Sequence, residues 1–253
     1  MDEEERWIED EDKEEECGED EHDESFGFDL FSSDKKDPTD KFKVNIGELT
    51  LNLHGIQARY PHLLQSTGMT LWQGSQRLCK HLYENPDTIL DKNVVELGAG
   101  LGLCGLVAHK HGARRVVMTD GDSDTLKNMR SNIALNVESE VIESESVVSK
   151  QLLWGKHVKA FQLKWAAEGG FDICMGGDIA YAQESLQILF ETALGLLSSK
   201  DCARFLLSFV FRGGVTTQSI EECAREHSLI WTRTGEGSKE ALYIFQRSSY
   251  IEF

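Results

Sequence analysis

The sequence lacks several features that would place it in familiar classes of protein. No apolar run reaches the ~18–20 residues that a membrane-spanning helix needs. Its six cysteines form no CxxC pair and no cluster with histidine at zinc-binding spacing, which favours free thiols in a reducing compartment and predicts no bound metal. The acidic N-terminus is unlike a signal or transit peptide. We therefore expect a soluble protein of the cytoplasm, the nucleus or both, with no membrane partner.

Basic residues are also scarce, with 26 Lys and Arg against 44 Asp and Glu and a net charge of −18. The imbalance is local, because residues 1–40 hold 20 of the acidic residues and only 4 of the basic ones. A surface that binds nucleic acid strongly needs an excess of Lys and Arg, which the remaining, near-neutral part of the chain does not have. The composition therefore disfavours a nucleic-acid partner.

The composition divides the chain into an acidic disordered tail, residues 1–41, and one folded domain, residues 42–253. An apolar cluster, FGFDLF at residues 26–31, interrupts the tail. The cluster is either a short docking motif or a set of stray hydrophobic residues in a solvated segment. The negative charge of the tail would attract a basic partner.

Strand and helix patterns alternate along the rest of the chain. Residues 42–46 and 49–53 alternate in polarity around a glycine, which predicts an early hairpin. Apolar runs then alternate with segments of helical spacing, which is typical of an α/β protein with a parallel sheet and helices on both faces. The last two strands, near residues 229–233 and 242–246, are joined by a short link and predict an antiparallel hairpin at one edge of the sheet.

A glycine-rich loop, VVELGAGLGLCG at residues 94–105, follows the first of these buried strands. Clustered glycines let a backbone approach a ligand closely. The loop fits two patterns: GxGxxG at residues 100–105, which is typical of dinucleotide binding, and ExGxGxG at residues 96–102, which is typical of S-adenosylmethionine enzymes. In a parallel sheet the ligand lies beyond the carboxyl ends of the strands, so the residues at those ends should distinguish the two.

Two acidic residues stand at such strand ends. Asp120 follows the next strand, about 20 residues beyond the loop, and could bind both ribose hydroxyls of either ligand. Glu96 interrupts an apolar strand, where an unpaired buried carboxylate is costly, so we expect it at the pocket mouth. There it would attract a cationic sulfonium and repel a pyrophosphate, which favours S-adenosylmethionine. The alternative is a carboxylate satisfied by nearby backbone amides.

A second acidic motif, Asp178-Ile179-Ala180-Tyr181, follows the strand predicted at residues 171–175. It places a carboxylate and a phenol three residues apart at the expected open edge of the pocket. The alternative is a capping residue followed by a packed tyrosine.

From about Leu51 onward the sequence resembles the seven-β-strand methyltransferases of the family-16 type, known mainly as protein-lysine methyltransferases. The resemblance implies a Rossmann-like, seven-stranded methyltransferase sheet, mostly parallel, and S-adenosylmethionine as the cofactor of a monomer acting on a protein substrate. It rests on five segments in the same order, namely GMTLW (68–72), VELGAGLG (95–102), TD (119–120), LWG (153–155) and the DxxY motif DIAY (178–181).

The resemblance also implies roles at the cofactor. Trp72 would line the cofactor pocket and Trp154 would pack on the adenine, which agrees with the preference of adenine and a sulfonium for aromatic faces. Gly98 and Gly100 would let backbone amides approach the methionine part of the cofactor. Asp178 would face the methyl group that is transferred.

On the acceptor side, Asp178 would orient a lysine amine and help its proton leave, and Tyr181 would position the amine. Lysine in water has a pKa near ~10.4, so it must lose a proton before it attacks, and desolvation in a closed pocket lowers that pKa. Residues 155–170 are longer than the usual link and form either a substrate-contacting surface or a neutral insertion.

Three other functions stay open: a histidine methyltransferase, an RNA methyltransferase, and a non-catalytic module that binds the cofactor. A nicotinamide oxidoreductase is disfavoured, because Glu96, the two tryptophans and the DxxY motif have no role in it.

Overall fold

A computed structural model of the protein describes residues 40–56, 67–139, 141, 146–166, 169–235, 237 and 239–248. The apolar cluster at 26–31 and nearly all of the predicted acidic tail lie outside the described residues. Strand β1 (Asp40–Ile46) begins within the segment that was assigned to the tail. It pairs antiparallel with β2 (Leu49–Gly55), so the predicted early hairpin is confirmed.

The central sheet has seven strands in the order β5-β4-β3-β6-β7-β9-β8. Strands β3 to β7 are parallel, whereas β9 lies between β7 and β8 and is antiparallel to both. This arrangement confirms the predicted fold class, including the antiparallel hairpin at the edge. The strands are β3 (Asn93–Glu96), β4 (Arg115–Asp120), β5 (Val147–Gln151), β6 (Ile173–Gly177), β7 (Arg204–Val210), β8 (Leu229–Thr234) and β9 (Glu240–Arg247).

Helices cover both faces of the sheet. Successive strand residues point to opposite sides, and both sides of the central strands are apolar, so each face packs against helices. On β3, Val94 belongs to one apolar core, and the next residue, Val95, belongs to the other. The first core contains α1, α2 and α3, and the second contains α4, α5 and α6. The helices in the described residues are α1 (Gln73–Glu84), α2 (Leu103–Lys110), α3 (Ser123–Glu138), α4 (Val158–Trp165), α5 (Gln183–Leu196) and α6 (Thr217–Glu226). None of these helices is long and apolar enough to span a membrane.

Helix α4 lies in residues 155–170, where the sequence predicted a long link. Its Phe161 is buried in the second core. Gln162 donates its amide hydrogens to the carbonyls of Leu196 and Leu197, at 3.0 and 3.3 Å, and so satisfies the C-terminal end of α5. The segment therefore contributes to the second core and supports the C-terminal end of α5.

A row of asparagines on α3 attaches the early hairpin to the domain. Asn136 accepts from the backbone N–H of Asn52 at 3.0 Å and donates to its carbonyl at 2.8 Å. Asn132 accepts from the N–H of His54 at 2.7 Å and donates to the carbonyls of His54 and Leu101, at 3.1 and 3.0 Å. These side-chain amides satisfy backbone groups of β2 that a neighbouring strand would otherwise bind.

Candidate functional site

A cavity of about 580 Å³ lies at the carboxyl ends of β3, β4 and β6. The strand order reverses between β3 and β6, which is the position where ligands bind in open α/β sheets. Its volume suits a small organic molecule. Seven of the predicted site residues line this cavity: Trp72, Gly98, Gly100, Asp120, Trp154, Asp178 and Tyr181.

The glycine loop after β3 needs its glycines for two reasons. Gly98 and Gly100 both adopt a φ of +55°, which side-chain-bearing residues rarely adopt. A Cβ at Gly100 would also lie 2.9 Å from the carbonyl oxygen of Gly68, and a Cβ at Gly98 would lie 2.8 Å from Ile179 Cγ2. The two glycines therefore let the loop pack closely against Gly68 and Ile179, and both glycines also line the cavity.

Asp120, at the end of β4, connects the glycine loop to the next loop. Its Oδ2 accepts from the N–H of Gly100 at 3.1 Å, and its Oδ1 accepts from the N–H of Asp122 at 3.1 Å. Burial raises the pKa of this carboxyl, and the bonds from backbone amides oppose that rise. The carboxylate thus lies at the cavity wall, where the sequence predicted a ribose-binding acid.

Replacing Asp120 with asparagine is expected to weaken the binding of S-adenosylhomocysteine by about 10- to 100-fold. Asparagine has only one acceptor oxygen, so it cannot serve both backbone amides, and it loses the charge that would bind ribose hydroxyls. Titration calorimetry on the full chain measures the change. Asp124→Asn is the control, because Asp124 is exposed and pairs with Lys127 at the surface, at 2.9 Å. Equal affinities for the Asp120 variant and the wild type would contradict the assignment.

The two tryptophans also lie at the cavity. The indole N–H of Trp72 donates to the carbonyl of Thr67 at 2.8 Å. A Cβ at Gly98 would be 3.7 Å from Trp154 Cζ2, so this indole lies close to the glycine loop. Aromatic faces at the walls of the cavity suit adenine and a sulfonium.

The two ends of the DxxY motif differ in their exposure to solvent. Asp178 is buried and has a φ of +66°, and its Oδ2 accepts from the N–H of Gly74 at 3.1 Å. Tyr181 lines the same cavity and is 54% exposed. The motif therefore brings a buried carboxylate and an accessible phenol to one cavity, as the resemblance implied.

Sequence reasoning missed Arg212, which lines the cavity from the loop after β7. Its guanidinium donates to Asp178 Oδ2 and forms an ion pair with that carboxylate. It also lies over the Trp72 ring, with Cζ 4.7 Å from the ring centroid. The available signal was a basic residue just beyond the carboxyl end of an apolar strand, the same kind of position that identified Asp120 and Asp178.

The prediction that Glu96 faces the pocket mouth is wrong. Glu96 is 2% exposed and does not line the cavity. Its Oε2 accepts from the N–H of Gly105 at 2.8 Å, in the first turn of α2, and it also hydrogen-bonds with Cys104. The alternative reading, a carboxylate satisfied by a backbone amide, describes it correctly. Burial raises the pKa of Glu96 to about 8.

The raised pKa of Glu96 predicts that stability falls as the pH rises. Between its ordinary pKa of 4.5 and about 8, the unfolded chain ionises this carboxyl while the folded protein keeps the proton. The free energy of unfolding should then decrease by up to ~1.4 kcal/mol per pH unit within this window. Glu96→Gln keeps an acceptor for Gly105 but does not titrate. Between about pH 5 and 8, the free energy of unfolding of this variant, measured in urea, should fall by roughly 3 kcal/mol less than that of the wild type. Identical losses in the two proteins would contradict this.

The residues at the cavity fit S-adenosylmethionine. A glycine loop open to the cavity, a carboxylate at the end of β4 and two tryptophans provide contacts for its methionine, ribose and adenine parts. Among the described residues, no group of three or more His, Cys, Asp or Glu side chains could hold a metal ion.

Comparison with known proteins identifies the family. Residues 58–222 match the family described as lysine methyltransferase. The protein N-lysine methyltransferase METTL21A of Danio rerio is 30% identical over 161 residues, which cover 64% of this chain and 69% of that protein. The protein N-terminal and lysine N-methyltransferase EFM7 of Candida glabrata is 29% identical over 173 residues, which cover 68% of this chain and 64% of that protein. The chain thus spans about two thirds of the length of these two curated relatives.

Solved structures show the same fold. A SAM-dependent methyltransferase from Agrobacterium tumefaciens matches with a TM-score of 0.59 at 13% identity, covering 85% of this chain and 72% of that one. Magnesium protoporphyrin IX methyltransferase from Synechocystis, solved with bound SAH, matches with a TM-score of 0.51 at 14% identity, and the match covers 70% of this chain and 83% of that one. The chain belongs to the lysine methyltransferase family, which confirms the enzyme class and the S-adenosylmethionine cofactor predicted from its sequence.

Proposed function

We propose that the protein transfers a methyl group from S-adenosylmethionine to the side-chain amine of a lysine in a protein substrate. The observation that carries this proposal is the placement of Asp178 and Tyr181 on the same cavity as the glycine loop. A buried carboxylate beside the cofactor suits a nucleophile that arrives as a cation. The family and the name of the Danio rerio relative support the same acceptor.

When bound, S-adenosylmethionine supplies an electrophilic methyl group, whose C–S bond breaks with the electron pair kept on sulfur as the new N–C bond forms. The amine must reach this group unprotonated, although a lysine ammonium in water has a pKa of about 10.4. The cavity residues assist by positioning the amine and by excluding water, and this desolvation lowers the pKa of the amine, whereas the negative charge of Asp178 opposes that shift. The released proton leaves to solvent at the open edge beside Tyr181.

Asp178 is the residue that we propose to orient the acceptor. Its bonds from Gly74 and Arg212 both go to Oδ2. Among the described residues, Oδ1 has no hydrogen-bond partner, so it is the atom that would accept an N–H from the acceptor ammonium. Tyr181 would then position the side chain at the mouth of the cavity.

A second candidate acceptor is the N-terminal α-amine of a protein. The Candida glabrata relative is named for both N-terminal and lysine methylation. An α-amine is also a cation in water, with a pKa of about 7.7–8.0, so the same carboxylate could orient it.

The test incubates the purified chain with radiolabelled S-adenosylmethionine and a hypomethylated cell extract, which is then divided into protease-treated and RNase-treated halves. Asp178→Asn and Asp124→Asn are run in parallel. We expect a discrete labelled protein band that protease removes, that RNase leaves, and that is absent with Asp178→Asn only. Mass spectrometry of this band should place the methyl group on a lysine.

Other outcomes distinguish the alternatives. Label on an N-terminus would favour the second candidate, and label on a histidine would replace both. Label that survives protease but not RNase would contradict a protein substrate. Cofactor binding without any label would favour a non-catalytic module.

A further inference from the structure

Arg212 connects the two functional sides of the cavity. Its guanidinium forms the ion pair with Asp178, the residue assigned to the acceptor, and covers the ring of Trp72, a residue assigned to the cofactor. Among the described residues that line the cavity, Arg212 is the only Lys, Arg or His. The chain thus places a cation of its own beside the carboxylate that the acceptor is proposed to use.

The environment that holds Arg212 would also suit the acceptor. A carboxylate together with an aromatic face stabilises a positive charge, whether it belongs to a guanidinium or to an ammonium. An incoming lysine that donates to Oδ1 would therefore compete with Arg212, which is bound at Oδ2, for the negative charge of Asp178. A buried carboxylate cannot remain without a counter-charge at low cost, so Arg212 can leave only when another cation replaces it.

The surroundings of Arg212 permit its departure. The side chain is 35% exposed, so it is not enclosed by the core. Gly213 follows with a φ of +98°, and no atom lies within 4 Å of the position that a Cβ would take there. Open space therefore lies beside Gly213, whereas the next residue, Gly214, lies against Tyr181, whose carbonyl oxygen would be 2.7 Å from a Cβ there.

We propose that Arg212 is a specificity-determining residue that holds the acceptor position until a cationic amine displaces it. The inference rests on the proposed function and adds the class of acceptor that the site admits. A lysine ammonium or an α-ammonium can replace the guanidinium at Asp178. A neutral imidazole or nucleobase cannot, because it would leave the buried carboxylate uncompensated.

Two cofactor analogues test the proposal without knowledge of the acceptor. S-adenosylhomocysteine carries a neutral thioether, whereas sinefungin carries a primary ammonium in place of the methylated sulfonium. Titration calorimetry measures both dissociation constants for the full-length wild type, Arg212→Met, Arg212→Gln and Arg212→Lys. Methionine and glutamine remove the competing charge while keeping a long side chain, and lysine keeps the charge.

We expect Arg212→Met and Arg212→Gln to raise the affinity for sinefungin, relative to S-adenosylhomocysteine, by about tenfold or more. For Arg212→Lys, the ratio of the affinity for sinefungin to that for S-adenosylhomocysteine should stay close to the wild-type value. If Arg212 merely supported the fold, its replacement would change the affinities for both ligands by the same factor. An unchanged ratio of the two affinities in both neutral variants therefore overturns the proposal. Failure of the wild type to bind either ligand would instead overturn the proposed function, and this inference with it.

Discussion

Asp178→Asn is expected to reduce the rate of methyl transfer by about 10²- to 10⁴-fold, while the affinity for S-adenosylhomocysteine changes by less than about fivefold. Asparagine keeps the shape of the side chain and an oxygen that can accept from the N–H of Gly74. It removes the negative charge that is proposed to orient the acceptor ammonium. Single-turnover rates on the labelled substrate and calorimetric titration of S-adenosylhomocysteine measure the two quantities separately.

Asp172 provides a matched control, because Asp172 and Asp178 flank the same strand, β6. It lies just before β6, at the opposite end from Asp178, and it is also a buried carboxylate with a basic partner, Lys200 Nζ at 2.8 Å. Asp172→Asn should therefore lower stability but leave methyl transfer near the wild-type rate. Equal losses of activity in the two variants would show that a folding defect, and not the acceptor site, explains the effect.

Asn132→Ala is expected to lower the free energy of unfolding by about 3–4 kcal/mol. Asn132 is fully buried and bonds the N–H and carbonyl of His54 and the carbonyl of Leu101. Alanine leaves the N–H of His54 and the carbonyl of Leu101 without this partner, whereas the carbonyl of His54 keeps the bond from Asn128. Urea unfolding followed by circular dichroism measures the difference.

Asn128→Ala is the control for this prediction. Asn128 is half-buried and donates one bond to the His54 carbonyl, at 2.9 Å, which Asn132 also serves. Its removal should therefore cost only about 1 kcal/mol. If the two alanine variants were equally stable, the asparagine row would not be what attaches the hairpin.

The fold and the cavity wall were predictable where the signal was local. Gly98 and Gly100 adopt positive φ, so their identity is a backbone requirement that the sequence states directly. Asp120 and Asp178 directly follow buried strands, and parallel strands bring such positions to one edge. In each case a short stretch of sequence was enough to predict where the residue lies.

What the sequence could not decide depends on how the helices and strands pack against one another. Glu96 is satisfied by the N–H of Gly105, and only the packing of α2 against β3 brings that amide within reach. Arg212 lies 34 residues beyond Asp178, and the pairing of β6 with β7 makes them neighbours. Helix α4 has its apolar residues at helical spacing, but the short segment could equally have been a link.

The position of β9 has a consequence for how the protein is made. β8 leaves the ribosome before β9, yet among the described residues β8 pairs only with β9. Until residues 240–247 emerge, the backbone N–H and C=O groups of β7 that pair with β9 have no partner strand. Such an open strand edge invites chaperone binding or aggregation of the nascent chain. A translation stop before Glu240 would therefore remove two strands from the sheet, although it deletes the residues of only one.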